Sequence, residues 1–175
     1  MTPGIEDLWF VPLGGCGEIG MNLNLFGHDG RWLMVDCGVT FEETPQGNEV
    51  QMPDPHFISE RAESLVGIVA THAHMDHIGA LPYLADQFNC PIYTTPFTAA
   101  VLAPKLREGR SNAVVKVVQQ GQSLALGPFN LTWLPITHST PETHGLFIET
   151  PAGTIVHTAD WKSDPTPVVG QGLAP

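Results

Sequence analysis

The stretch LVGIVATHAHMDHIG, residues 65–79, runs from a short apolar segment straight into three histidines and an aspartate within six positions. Residues 65–70 are too short and too uniformly apolar for an amphipathic helix and read as a buried strand. At the end of such a strand His72 and His74 point to the same side by the two-residue period. A turn beginning at Asp76 then swings Asp76 and His77 around a second point. In a packed core every imidazole and carboxylate of this group would need its own partner, which so dense a cluster does not leave room for. The bland alternative is a set of surface histidines with no ion. The density, directly after a buried strand, favours two cations a few ångströms apart. Imidazole and carboxylate suit zinc, manganese or iron, with zinc the default for a nitrogen-rich set.

Three further residues share this placement. His138 follows the run FNLTWLPI (129–136), and Asp160 follows GTIVHT (153–158). Asp36 ends RWLMVD (31–36), where it is placed to orient a ligating histidine from behind. Each taken singly reads as a turn residue. Their common position past an apolar strand is what raises them.

Working outward, apolar runs bounded by Gly, Pro and Asn predict strands at 8–13, 21–26, 31–36, 65–70, 91–94, 113–118, 129–134, 145–150 and 153–158. The last two, joined by Pro151-Ala152, read as a hairpin. In MNLNLF (21–26) Met21, Leu23 and Leu25 share one face, while Asn22 and Asn24 share the other. Helices are predicted over 76–88, with Pro82 a blemish inside, and over 96–108, with Thr95 as N-cap, Pro96 at the first position and Gly109 as the stop. The polar, acid- and proline-rich residues 40–64 read as a long surface loop. Gly15, Gly17 and Gly20 form a GxGxxG, with Asp36 in the place of a ribose-binding acid. That fingerprint requires the glycines to open a helix, whereas alternation in 21–26 predicts a strand, so a tight turn near the metal cluster is the preferred reading.

The 175 residues carry 7 Lys+Arg against 18 Asp+Glu, a net charge of −11, which excludes a basic nucleic-acid footprint spread over the whole surface. A hydrophobic share of 42% excludes a disordered acidic tail. Cys16, Cys37 and Cys90 are odd in number and widely spaced, and residues 1–15 carry Glu6 and Asp7 where a signal peptide needs positive charge. No run approaches a membrane span. A cytoplasmic protein is expected. His28, His56, His144 and His157 are expected to be surface or satisfied structural residues, with His144 the one nearest a candidate ligand in sequence.

HAHMDH (72–77) resembles the HxHxDH motif of the metallo-β-lactamase superfamily. PLGGCGEIGMN (12–22), MPDPHF (52–57), PIYTTPFTAAVL (91–102) and ITHSTPETHGLFIETPAGTIVHTADWKSDPTP (136–167) resemble, more narrowly, the ribonuclease J family of its β-CASP subgroup. The resemblance spans about residues 8–169. It implies an α/β fold, an αββα sandwich, and hydrolysis of RNA phosphodiester bonds from the 5′ end and internally. It also implies two zinc ions, or manganese in their place, with His72, His74 and His138 on one, Asp76 and His77 on the other, and Asp160 bridging. A metal-bound hydroxide would attack phosphorus, with Asp76 helping to orient it.

Members of that family continue past this point with an inserted β-CASP domain, the second half of the sandwich and a last metal-binding histidine. No histidine follows Asp160 here. Residues 1–175 are therefore expected to form the N-terminal part of a sandwich, poorly soluble alone, with RNA as partner and homo-oligomerisation in the full-length context. Three readings stay open: a ribonuclease portion, another hydrolase of the same fold acting on an ester, thioester or lactone, and a non-catalytic metal- or partner-binding fragment. The motif alone does not choose among them.

Overall fold

The computed structural model describes residues 2–170. Among these, the chain forms β1 (Trp9–Gly14), β2 (Leu23–His28), β3 (Arg31–Val35), β4 (Thr40–Thr44), β5 (Gly47–Gln51), α1 (His56–Ser59), β6 (Leu65–Val69), α2 (Met75–Ile78), α3 (Leu81–Leu84), β7 (Ile92–Thr94), α4 (Pro96–Glu108), β8 (Val115–Val117), β9 (Ser123–Leu126), β10 (Phe129–Pro135), β11 (His144–Thr150) and β12 (Gly153–His157). A mixed sheet has the order β1-β2-β3-β6-β7-β8, and a second, antiparallel sheet has the order β12-β11-β10-β9. The pair β4–β5 stands apart.

Side-chain alternation divides the core into two layers. From β3, Trp32 and Met34 join Leu23, Leu25, Ile68, Leu81 and Leu102 between the mixed sheet and the helices. Leu33 and Val35 join Phe26 and Val69 between the sheets, against Phe129, Leu131, Trp133, Leu146 and Ile148 of the second sheet. A strand buried on both faces needs apolar residues at every position, which is why 32–35 read as a continuous run. Helices, first sheet and second sheet make three layers. Among the described residues no helix covers the outer face of the second sheet, where Phe147 and Val156 are exposed.

This topology gathers the candidate residues. The strands β3 and β6 are parallel, so their carboxyl ends share one edge, from which Asp36 and the segment 71–77 emerge. His138 and Asp160 emerge from β10 and β12 on the facing sheet.

Four expectations change. The helix over 76–88 is split into α2, α3 and a 3-10 turn at Ala85–Gln87. Pro82 cannot donate to a carbonyl one turn back, so a second helix restarts with Pro82 in its first turn. The loop over 40–64 contains the β4–β5 hairpin and α1, and β9 goes unannounced. Thr95 precedes α4 but makes no side-chain cap. Instead Glu142, from the loop after His138, accepts the Phe97 N–H at 2.7 Å. The expected hairpin forms as β11–β12, with Thr150 opposite Gly153. Gly15, Gly17 and Gly20 open no helix; they lie between the antiparallel β1 and β2, all with positive φ. No helix among the described residues is long and apolar enough to cross a membrane.

Candidate metal centre

The six expected ligands converge. His72 Nε2 lies 3.0 Å from His74 Nδ1, which lies 3.2 Å from His138 Nε2. Beside them His77 Nε2 lies 3.4 Å from Asp76 Oδ2 and 3.5 Å from Asp160 Oδ2. Asp160 Oδ2 is also 3.9 Å from His138 Nε2, so this carboxylate stands between the two groups. His72 belongs to both, since His72, His74 and His138 form one set of atoms within 4.8 Å, and His72, His77 and Asp160 form another.

The protons tell what belongs in the middle. Asp36 is fully buried, and its carboxylate accepts the Thr71 N–H at 2.8 Å and the Thr71 hydroxyl at 2.9 Å. It lies 2.7 Å from His77 Nδ1, which must donate to it, because a carboxylate only accepts. With its hydroxyl proton spent on Asp36, Thr71 Oγ1 is left to accept from His72 Nδ1 at 3.0 Å. Ser139 Oγ sits 3.3 Å from His74 Nε2. Asp36 and Thr71 thus hold the outward nitrogens of His77 and His72 and turn both Nε2 atoms towards the centre, where His74 Nδ1 and His138 Nε2 stand close to the carboxylates of Asp76 and Asp160. Positive charge, from a bound cation or from a proton on His77, satisfies such a gathering. Zinc–nitrogen bonds of about 2.0–2.1 Å give a tetrahedron with edges of roughly 3.3–3.4 Å, close to the separations observed, so the donor set fits. One backing nitrogen, His138 Nδ1, is buried without a partner among the described residues.

The electrostatics follow from the same crowding. Burial works against charge on His77, yet Asp36, with Asp160 and Asp76, overrides it and pushes the imidazole up to about 12. In the metal-free chain a proton takes the cation's place there. His72 is driven down to about 3, first by burial and then by His77 beside it. His138 is lowered, chiefly by burial and then by His74. Asp160 falls to about 2, mainly through its bond to His77.

Backbone strain collects at this edge. Met21, Asp36, Glu142 and Ala159, each beside or within a segment carrying site residues, have φ of 35°, 65°, 57° and 48°. At Gly38 an added Cβ would stand 1.6 Å from the Asp76 carbonyl oxygen, so only glycine lets the chain after β3 lie against α2.

Several residues outside the expected set also serve this centre. Asn22 bonds the Asp76 carbonyl and sits 3.3 Å from His77 Nε2; its alternation with Asn24 was the available signal, since a polar face on a buried strand needs a purpose. Thr71 relays between His72 and Asp36. His157, expected at the surface or satisfied, lines a cavity of about 480 Å³ with Asp36, His77 and Asp160. His28 is structural, 2.7 Å from the Asp7 carbonyl, and His56 is exposed beside Glu60. His144 is fully buried, and its Nε2 has no partner among the described residues, contrary to the expectation of a satisfied residue.

Residues 20–162 match the family model described as the metallo-beta-lactamase superfamily, and the chain belongs to that superfamily. Within it, the chain is 46% identical over 174 residues to ribonuclease J of Sinorhizobium meliloti and 40% identical over 161 residues to ribonuclease J of Mycobacterium tuberculosis. These alignments cover 94% and 91% of this chain but 30% and 29% of those proteins, so it spans under a third of their length. The metallo-beta-lactamase fold protein YhfI from Bacillus subtilis superposes with a TM-score of 0.62 at 23% identity, over 86% of this chain and 61% of that one. That likeness shows the fold.

Proposed function

We propose that this chain is the metal-binding portion of a ribonuclease J-type enzyme. It would hydrolyse RNA phosphodiester bonds from the 5′ end and internally, in the cytoplasm, with two zinc ions or manganese in their place. The observation that carries the reading is the convergence of six ligand-type atoms, from His72, His74, His138, His77, Asp76 and Asp160, in two groups that meet at His72 with Asp160 between them. The identity to two ribonucleases J supports the substrate, and the unpaired Cys16, Cys37 and Cys90 support the reducing compartment.

His72, His74 and His138 would hold one ion, Asp76 and His77 the other, and Asp160 both. Bound divalent ions supply a water of lowered pKa and offset charge developing on the phosphoryl oxygens. The chain's own residues do the rest. Asp36 holds the His77 Nδ1 proton and so keeps Nε2 aimed at the centre. Thr71 fixes the His72 tautomer in the same way, and Ser139 backs His74. Asp76 Oδ2, partly exposed beside His77, would help to orient the attacking water.

Zinc content and cleavage of a 5′-monophosphorylated RNA, measured on this chain and on a chain of the relatives' full length, test the reading. Zinc in both and cleavage by the longer chain are expected. Absence of metal from both overturns the site. Metal without RNA cleavage by the longer chain points to another hydrolytic substrate on the same fold.

A further inference from the structure

The loops that carry His138 and Asp160 are stitched together one residue before the first and two after the second. The Lys162 N–H donates to the Thr137 carbonyl at 2.9 Å, and the Thr137 hydroxyl donates back to the Lys162 carbonyl at 2.6 Å. This pair of hydrogen bonds fixes the Lys162 backbone against the centre while leaving its side chain half exposed, 52% accessible. The side chain enters a groove of about 310 Å³ that it shares with His138, Ser139, Thr140 and Asp164. Its ammonium lies 3.2 Å from Asp164 Oδ2.

The rest of the chain makes this lysine matter. A phosphodiester approaching a protein of net charge −11 needs a local cation beyond the metals. Arg31 and Arg61 are spent on the carbonyls of Glu63 and Phe57. Lys116 lies over the Tyr93 ring, Lys105 and Arg107 close the carboxyl end of α4, and Arg110 lies just past that end. Lys162 instead stands beside a candidate ligand, held near an acid whose partnership a phosphate could take over. Ser139, exposed and already touching His74, offers a hydroxyl on the same side.

We propose that Lys162 and the Ser139 hydroxyl bind a backbone phosphate of the substrate in the groove leading away from His138, with Asp164 as the resident competitor, and so set the register of the strand over the metal centre. The proposal rests on the reading of the chain as an RNA hydrolase. Lys162 is a positioning residue: it contributes binding rather than bond breaking.

The test is binding of a 5′-monophosphorylated oligoribonucleotide to the zinc-loaded protein, by fluorescence anisotropy across a salt series. Lys162→Ala, Lys162→Arg and Asp164→Asn are compared with the parent, and zinc content is measured on each. Losing one phosphate contact to single-stranded RNA is expected to flatten the slope of log K against log salt by about 0.7 in Lys162→Ala, with zinc unchanged. Lys162→Arg should keep the parental slope, and Asp164→Asn should tighten binding at low salt by removing the competing carboxylate. In the full-length enzyme Lys162→Ala should raise KM and leave kcat within about twofold. A parental slope in Lys162→Ala overturns the proposal while leaving the RNA hydrolase reading standing. A full-length parent that binds no RNA at all removes that reading and this proposal with it.

Discussion

The main-chain carbonyl of Asp76 accepts two hydrogen bonds from Asn22, one from the backbone N–H at 2.9 Å and one from the side-chain amide at 3.0 Å. Asn22 in turn accepts the Gly38 N–H through its own carbonyl, at 2.9 Å. The peptide between two candidate ligands of one ion, Asp76 and His77, is thus pinned by a residue that donates nothing to that ion itself. Asn22→Ala keeps the backbone bond and loses the amide. Outer partners of ligands are typically worth about 10–100-fold in metal affinity. The variant is therefore expected to hold zinc at the His72, His74 and His138 group normally, and at least about tenfold more weakly at the second. Competition titration with a zinc chelator reads both steps, and two unchanged affinities would refute the role.

Gly38 carries a harsher expectation. A methyl group there meets the Asp76 carbonyl oxygen at 1.6 Å and the His77 nitrogen at 2.6 Å, and these are backbone atoms with no rotamer to change. Overpacking of this kind costs about 1–3 kcal/mol or more. Gly38→Ala should lower the thermal midpoint by several degrees in the metal-free chain and also cost the second metal equivalent. Loss of neither would show that the two segments can separate freely.

How the sequence speaks for this site depends on what each residue does. His72, His74, Asp76 and His77 are legible because four ligand-type side chains in six positions have no economical packing. His138, Asp160 and Asp36 are legible because they end apolar runs. Asn22 and Gly38 act on the backbone of a distant segment and Thr71 on the side chains of Asp36 and His72, so beyond the polar alternation at Asn22 only their three-dimensional neighbours reveal them. The β4–β5 hairpin escapes for a different reason. Its strands are exposed on both faces, with Glu42, Glu43 and Glu49 beside Phe41 and Val50, so no burial imposes alternation. The helix over 76–88 fails because local periodicity persists across Pro82 while the hydrogen-bond ladder does not.

His144 gives the fold an acid-sensitive point. Burial, only partly opposed by the Glu142 carbonyl, lowers its pKa from 6.5 to about 4. The unfolded chain takes up this proton at a higher pH than the native one, so the contribution is intact above pH 6.5. It is lost as pH falls towards 4, by about 3 kcal/mol over that interval. In His144→Phe this loss should vanish, since the ring stays apolar and the unpartnered Nε2 is gone. Urea unfolding of both metal-free chains from pH 7.5 to 4 gives the difference directly. Parallel stability curves would mean that His144 is protonated alike in both states.

The outer face of the second sheet carries the last expectation. Phe147 and Val156 are cross-strand neighbours on β11 and β12, 39% and 56% exposed, and among the described residues β12 is an edge strand with one side unpaired. Apolar surface next to a free edge invites pairing with a second chain, and charge on the edge is the usual remedy. The chain should therefore self-associate with rising concentration in sedimentation velocity. Val156→Lys should restore a monomer without altering zinc content, because Val156 donates nothing to the centre and its side chain faces away from the core between the sheets. A parent that stays monodisperse and monomeric, with a single cooperative melt, would show that this face needs no cover.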